Sequence, residues 1–209
     1  AQQLLECISD YFGIGAWDEI VELCDAALAK AAVEKPYATE GALPLKDTIA
    51  ACDSYKNAMF GYFKAYALAK LGKDAAVVKD ALSAAGDMTT DYCFPSRLEE
   101  LEVLQWAANK ARSYKTKEQR ANTHYYLGSI LWNMDQKEPA LAAWKTAAQL
   151  NPKHALALRC IGFAVFLHRA NREQLGKIRG RQPVGHDHSL ESPFIAKHIL
   201  EKSRACTAP

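Results

Sequence analysis

No stretch of this sequence approaches the ~18 consecutive apolar residues of a membrane-spanning helix, so no membrane partner is expected. One-signed charge is equally scarce. The 26 Lys/Arg and 24 Asp/Glu leave a net charge of only +2, too weak a field for the phosphate neutralisation that dominates nucleic-acid affinity. No nucleic-acid partner is expected either. β-Branched residues never alternate along a run, which removes the signature of a half-buried strand. Catalytic signatures are missing too: there is no GxSxG elbow, no phosphate-cradling glycine loop with a lysine, and no HExxH. Six cysteines (Cys7, Cys24, Cys52, Cys93, Cys160 and Cys206) are scattered with no CxxC, so thiolate metal binding is not expected. With no signal peptide visible, the expectation is a reducing cytoplasm and cysteines acting as small hydrophobes, with Cys7, Cys24 and Cys160 on core stripes. Neither cofactor, metal nor enzymatic activity is expected.

About half of the chain is hydrophobic, alanine and leucine dominate, and the apolar period is helical throughout. Within 121–154, Ala121, Leu127-Gly128, Leu131, Ala140, Trp144, Ala147 and Pro152 fall where a 34-residue helix–turn–helix unit needs them. This spacing resembles a tetratricopeptide repeat, and each position has a physical reason. Gly128 removes a side chain where two helices cross closely, with Ala140 expected to face it. Trp144 and Ala147 continue one stripe, the indole filling the space toward the neighbouring unit. Pro152 after Asn151 ends the second helix.

One period later, Ala155, Leu158, Ile161-Gly162 and Val165 repeat the first-helix pattern. Upstream traces are weaker. Leu71-Gly72-Lys73-Asp74 reads as a turn, preceded by Ala65 and followed by Val77, Ala81 and Ala84. Gly15-Ala16-Trp17 reads as another, between the stripes Leu4, Cys7, Tyr11 and Ile20, Cys24, Ala27. The expected architecture is therefore all-α, an α-α superhelix of stacked tetratricopeptide hairpins over 1–168, with the best units at 121–154 and from 155 onward. Residues 35–48 read as a long loop. After an irregular stretch at 86–95, Ser96 and Glu99 form an expected capping box. The helix that follows, to about Arg112, has an expected buried stripe of Leu98, Leu101, Leu104 and Gln105 or Ala108, with Glu99, Glu100 and Glu102 in water. After Phe166 the period stops. Residues 169–209 carry eight Lys/Arg against four Asp/Glu, a balance of +4 on a body of about −2. They read as a basic tail or, through 193–203, a helix capping the stack.

The run Asp91-Tyr92-Cys93-Phe94-Pro95-Ser96-Arg97-Leu98-Glu99-Glu100-Leu101-Glu102-Val103-Leu104, with Tyr125-Tyr126-Leu127-Gly128 and Trp144, carries a second resemblance. It is similar to the C-terminal tetratricopeptide region of certain large bacterial proteins, over roughly residues 53 to 166. Those proteins place a β-rich, carbohydrate-enzyme-like domain of unknown function ahead of the repeats. The resemblance implies a bacterial source and a companion carbohydrate-active domain as one possible partner. No counterpart of that domain stands in these 209 residues, so its activity is not carried over.

The repeats imply a non-enzymatic scaffold that holds a protein or peptide in a groove lined by first helices. An alternative is the helical part of a glycoside-processing protein whose active site lies on another domain. Groove candidates are Asn122, Tyr125, Tyr126, Ser129 and Asn133 on one first helix and Arg159 on the next. Either tyrosine could instead pack between units. Asn122, Ser129 and Arg159 partly match a clamp for a C-terminal carboxylate, with Lys56, Asn57 and Lys64 as further polar or cationic groups. His186-Asp187-His188 with His198 offers imidazoles and a carboxylate, but in no recognised metal spacing.

Overall fold

The structure is a computed structural model that describes residues 1–34, 53–91, 93–110 and 114–178, with side chains described as far as residue 167. The expected 35–48 loop, Cys52, Cys206, the 186–198 histidine group and the 193–203 capping segment lie outside the described residues. All regular structure among the described residues is α-helical: α1 (Gln2–Ile14), α2 (Trp17–Val33), α3 (Met59–Lys70), α4 (Ala75–Asp87), α5 (Leu98–Asn109), α6 (Lys117–Asn133), α7 (Lys137–Leu150) and α8 (Ala155–Ile178).

Turn chemistry sets the hairpins. Gly15 ends α1 in the left-handed region at φ 72°, and Gly72 closes α3 to α4 at φ 67°. At the α6–α7 turn the same conformation falls on Asp135, φ 60°. α7 stops at Leu150. There the Asn151 side chain accepts from the Lys153 amide at 3.0 Å, and Pro152 sits exposed in the turn.

Bare backbone fixes how closely the helices approach. A Cβ on Gly128 would lie 2.4 Å from Trp144, one on Gly61 2.8 Å from the Ala85 Cβ, and one on Gly86 2.8 Å from the Gln119 Cβ. Three successive pairs, α3/α4, α4/α6 and α6/α7, thus cross at a position where a side chain is absent. The residue facing Gly128 is Trp144, not Ala140 as the spacing suggested. Helical side chains lean toward the N-terminus, so Trp144, though further from the turn than Ala140, sweeps back to the level of the glycine. Its Nε1 donates to the Tyr125 carbonyl at 3.2 Å, and Ala140 and Ala147 are buried around it.

Neighbouring helices pack in chain order except at α5. That helix lies against α3 and α6, while α4 packs directly on α6 past it. Tyr66 links the arrangement. Its hydroxyl donates to Glu102 of α5, and its ring stacks on Phe12 and meets Trp106 edge-on at 5.2 Å.

The expected stripes of α1 and α4 are rotated by about one residue, and that of α5 keeps Leu104 and Ala108 but not Leu98. In α1, Leu5 and Ile8 are buried, whereas Leu4 is half-buried and Cys7 and Tyr11 are exposed. As the first helix, α1 packs only toward later elements. In α4, Leu82 and Ala85 are buried while Val77 and Ala84 face solvent. The Gly61–Ala85 crossing lies one helical turn further from Gly72 than the Gly128–Trp144 crossing lies from Asp135, so the repeat register taken from 121–154 does not apply. In α5, Glu100, Val103, Leu104, Ala107 and Ala108 are buried and Leu98 is 72% exposed. The cap moves with it. Glu100, not Glu99, accepts from the backbone amides of Ser96 (2.6 Å) and Arg97 (2.8 Å), so it is buried rather than solvated.

Gly128→Leu is expected to cost about 3 kcal/mol or more, since Trp144 cannot retreat without losing its bond to Tyr125. Gly13→Ala, where an added Cβ meets nothing within 4 Å, is expected to be neutral or to stabilise by up to ~1 kcal/mol. Thermal melting of the two variants checks the contrast; equal melting points would show that α6 and α7 do not depend on that crossing.

Candidate functional site

Asn122, Tyr126, Ser129 and Asn133 are spaced so that, at about 100° per residue, all lie within roughly 60° of one another on α6. The structure brings them together as a ladder, and three of its rungs are occupied by the chain itself. Asn122 Nδ2 donates to the Gly86 carbonyl at 2.8 Å, the Tyr126 hydroxyl to the Thr89 carbonyl at 2.9 Å, and Asn133 Nδ2 to the Pro95 carbonyl at 3.4 Å. The segment leaving α4 therefore runs alongside α6 in the same direction, held by its main-chain oxygens. Ser129 is the exception, its hydroxyl donating to the Tyr125 carbonyl within its own helix.

From α3 the same segment is held by Asn57. Its Oδ1 accepts from the Cys93 thiol at 3.0 Å and from the Met59 amide at 2.9 Å, at the start of that helix. Cys93 and Pro95 are buried, while Phe94 between them is 65% exposed. Burial pushes the Cys93 thiol up to about 12 and holds Tyr126 well above the usual phenol range. Beneath, the Tyr62 hydroxyl meets Thr123 Oγ1 at 2.8 Å, Thr123 meets the Tyr114 hydroxyl at 2.8 Å, and Tyr114 donates to the Ala107 carbonyl at 3.2 Å. This hydroxyl chain ties α3, α6 and α5 together without exposing a group to solvent.

The carboxylate clamp is not assembled. Asn122 is engaged with Gly86, Asn57 is buried, and Lys64 pairs with Asp25 of α2. Lys56 is half-buried beside Asn57, and Arg159 alone of the clamp candidates stands exposed on α8. Tyr125 is buried between helices, its ring 5.2 Å from that of His154, and burial raises its hydroxyl to about 12. Cys160 beside it is pushed up to about 11 by burial. These thiols stay protonated at neutral pH, so neither is an activated nucleophile. No group of three or more His, Cys, Asp or Glu able to hold a metal occurs among the described residues. No helix of the described residues is long and apolar enough to cross a membrane.

The sequence did not reveal Asn57, Glu100 or His154 as positioning residues. Their signal was local. Each stands just before or within the first turn of a helix, where free backbone amides need an acceptor. His154 Nδ1 accepts from the Ala157 amide at 3.2 Å, so its remaining proton sits on a buried Nε2 that has no partner in the structure.

No protein-family description matches the sequence, and no curated protein matches it. A solved structure titled "MamA RS-1 ArsTM double mutant" aligns over 100% of this chain and 97% of that chain at 16% identity, with a TM-score of 0.29. At that score the likeness carries no argument about fold or function.

The ladder makes a direct prediction. Replacing Asn122 and Asn133 by Ala and Tyr126 by Phe is expected to free the segment after α4 before the helices melt, each lost part-buried bond costing about 1 kcal/mol. Hydrogen exchange of that segment should accelerate relative to α7; unchanged protection would mean that the bonds are incidental. A second prediction concerns pH. Burial depresses His154 below the ordinary histidine range, so the unfolded chain takes up a proton that the folded chain refuses. Stability is expected to fall as pH drops below about 6.5. His154→Asn, which keeps a capping acceptor and removes this titration, should lessen that fall in denaturant titrations, leaving the part due to His124, which burial depresses likewise.

Proposed function

We propose that this chain is a non-enzymatic protein-interaction scaffold of the tetratricopeptide kind, whose partner is a peptide segment or a companion domain. The reading is carried by the ladder on α6, where three side chains on one face grip carbonyls of the last turn of α4 and of the non-helical segment after it. A grip on main-chain oxygens suits any extended chain, which is how stacked hairpins hold peptides along their first helices. Here the grip is used in cis. The partner then meets the outer side of the held segment, where Phe94 is 65% and Leu98 72% exposed. Two large apolar side chains fixed by a buried cysteine and proline on one side and a helix cap on the other are suitable anchors for an interface centre.

The test uses the full chain. A partner recovered with the wild-type protein and identified by mass spectrometry should bind a Phe94→Asp, Leu98→Asp variant about 1,000-fold more weakly, as expected for losing two anchors of about 2 kcal/mol each. The variant should melt like the wild type because both side chains are exposed. Equal binding by the variant would remove this face as the site, and turnover of a glycoside by the purified chain would overturn the scaffold reading altogether.

A further inference from the structure

α8 opens a hairpin that it does not close. Gly162 stands one 34-residue period after Gly128, yet among the described residues a Cβ built on it meets nothing within 4 Å, whereas one on Gly128 would lie 2.4 Å from the Trp144 indole. Beside this empty crossing, Phe163 is 53% and Phe166 67% exposed. The Phe163 ring lies 6.4 Å from that of Trp132. One period after Trp144 the chain has Ile178, which still belongs to α8. The helix therefore runs through the place where the turn and second arm of the repeat should be. Whatever fills the Gly162 crossing comes from further along the chain or from another molecule.

We propose that residues 193–203 dock on this face as the missing second arm, seating one large side chain on the bare backbone at Gly162. Length permits it. Ile178 lies 16 residues past Gly162, about 24 Å along the helix axis. The 14 residues of 179–192 can span up to about 46 Å, so the chain can turn and come back with slack. Chemistry selects the segment. In the last 31 residues, Ser192-Pro193 has the sequence pattern of a helix start, and Phe194, Ile195, Ile199 and Leu200 are most of the large apolar residues. Ile195 and Ile199 stand one helical turn apart, as Ala140 and Trp144 do on α7, with Ala196 between them to permit a close approach. Burying Phe163 and Phe166 would give this end of the stack the covered outer face that an array of stacked hairpins needs. The proposal does not depend on which partner the α6 ladder serves.

Two variants of the full chain test it. In Ile195→Asp, Ile199→Asp, amide exchange across 158–166 should accelerate about tenfold or more relative to wild type, with α6 and α7 unchanged and both proteins monomeric by sedimentation. Identical exchange in α8 would overturn the proposal, as would protection that rises with protein concentration, since a second copy would then be the cover. In Gly162→Trp, whose added Cβ meets no described atom within 4 Å, the indole would fill the crossing from within. Trypsin should then cut after Lys197, Lys202 and Arg204 about tenfold faster than in wild type. Unchanged cleavage would also overturn it.

Discussion

Bare backbone at the helix crossings is the constraint on which the rest of this molecule depends. Trp144 lies on Gly128, Ala85 on Gly61 and Gln119 on Gly86, so α3, α4, α6 and α7 form a series in which each approach is set by a missing side chain. Closeness has a second effect at Gly128. With no side chain over it, the Tyr125 carbonyl is reached by the Trp144 Nε1, so the same residue that fills the crossing also locks it in orientation. A large ring held by shape and one hydrogen bond has few alternative positions, which favours a single packing over a loose one.

α6 is the centre of the arrangement because its faces are all engaged. One face takes Trp144, another carries the ladder to residues 86–95, and its buried Thr123 joins the hydroxyl chain between Tyr62 and Tyr114. The consequence for function is direct. Side chains that look ready to receive an external peptide are already bonded to the chain's own backbone, so the accessible chemistry of this face belongs to the held segment. Phe94 in that segment and Leu98 at the start of α5 are exposed, whereas Tyr126 is buried and Asn122 half-buried.

The helical character and the 121–154 hairpin were legible because they rest on spacing within one element: small residues at crossings, a tryptophan on the facing stripe, and glycine at two of the turns. The ladder was half legible. Asn122, Tyr126, Ser129 and Asn133 share a face of α6 by helical period alone, but nothing local says what occupies that face. The stripes of α1 and α4 were placed about one residue off, and that of α5 was right at Leu104 and Ala108 but wrong at Leu98. The direction a helix buries depends on neighbours distant in sequence, and about 100° of rotation separates one stripe from the next.

By itself the sequence determined the all-helical class, the close crossing at Gly128 and the polar strip on α6, since each follows from side-chain size and period over a few turns. Only the tertiary structure decided that α5 leaves the chain-order stack to lie on α3 and α6, that Glu100 rather than Glu99 caps it, and that the strip is filled in cis. Those outcomes turn on long-range competition for buried carbonyls and amides. Each such group must find a partner once water is excluded, and a linear pattern cannot say which of several donors reaches it first.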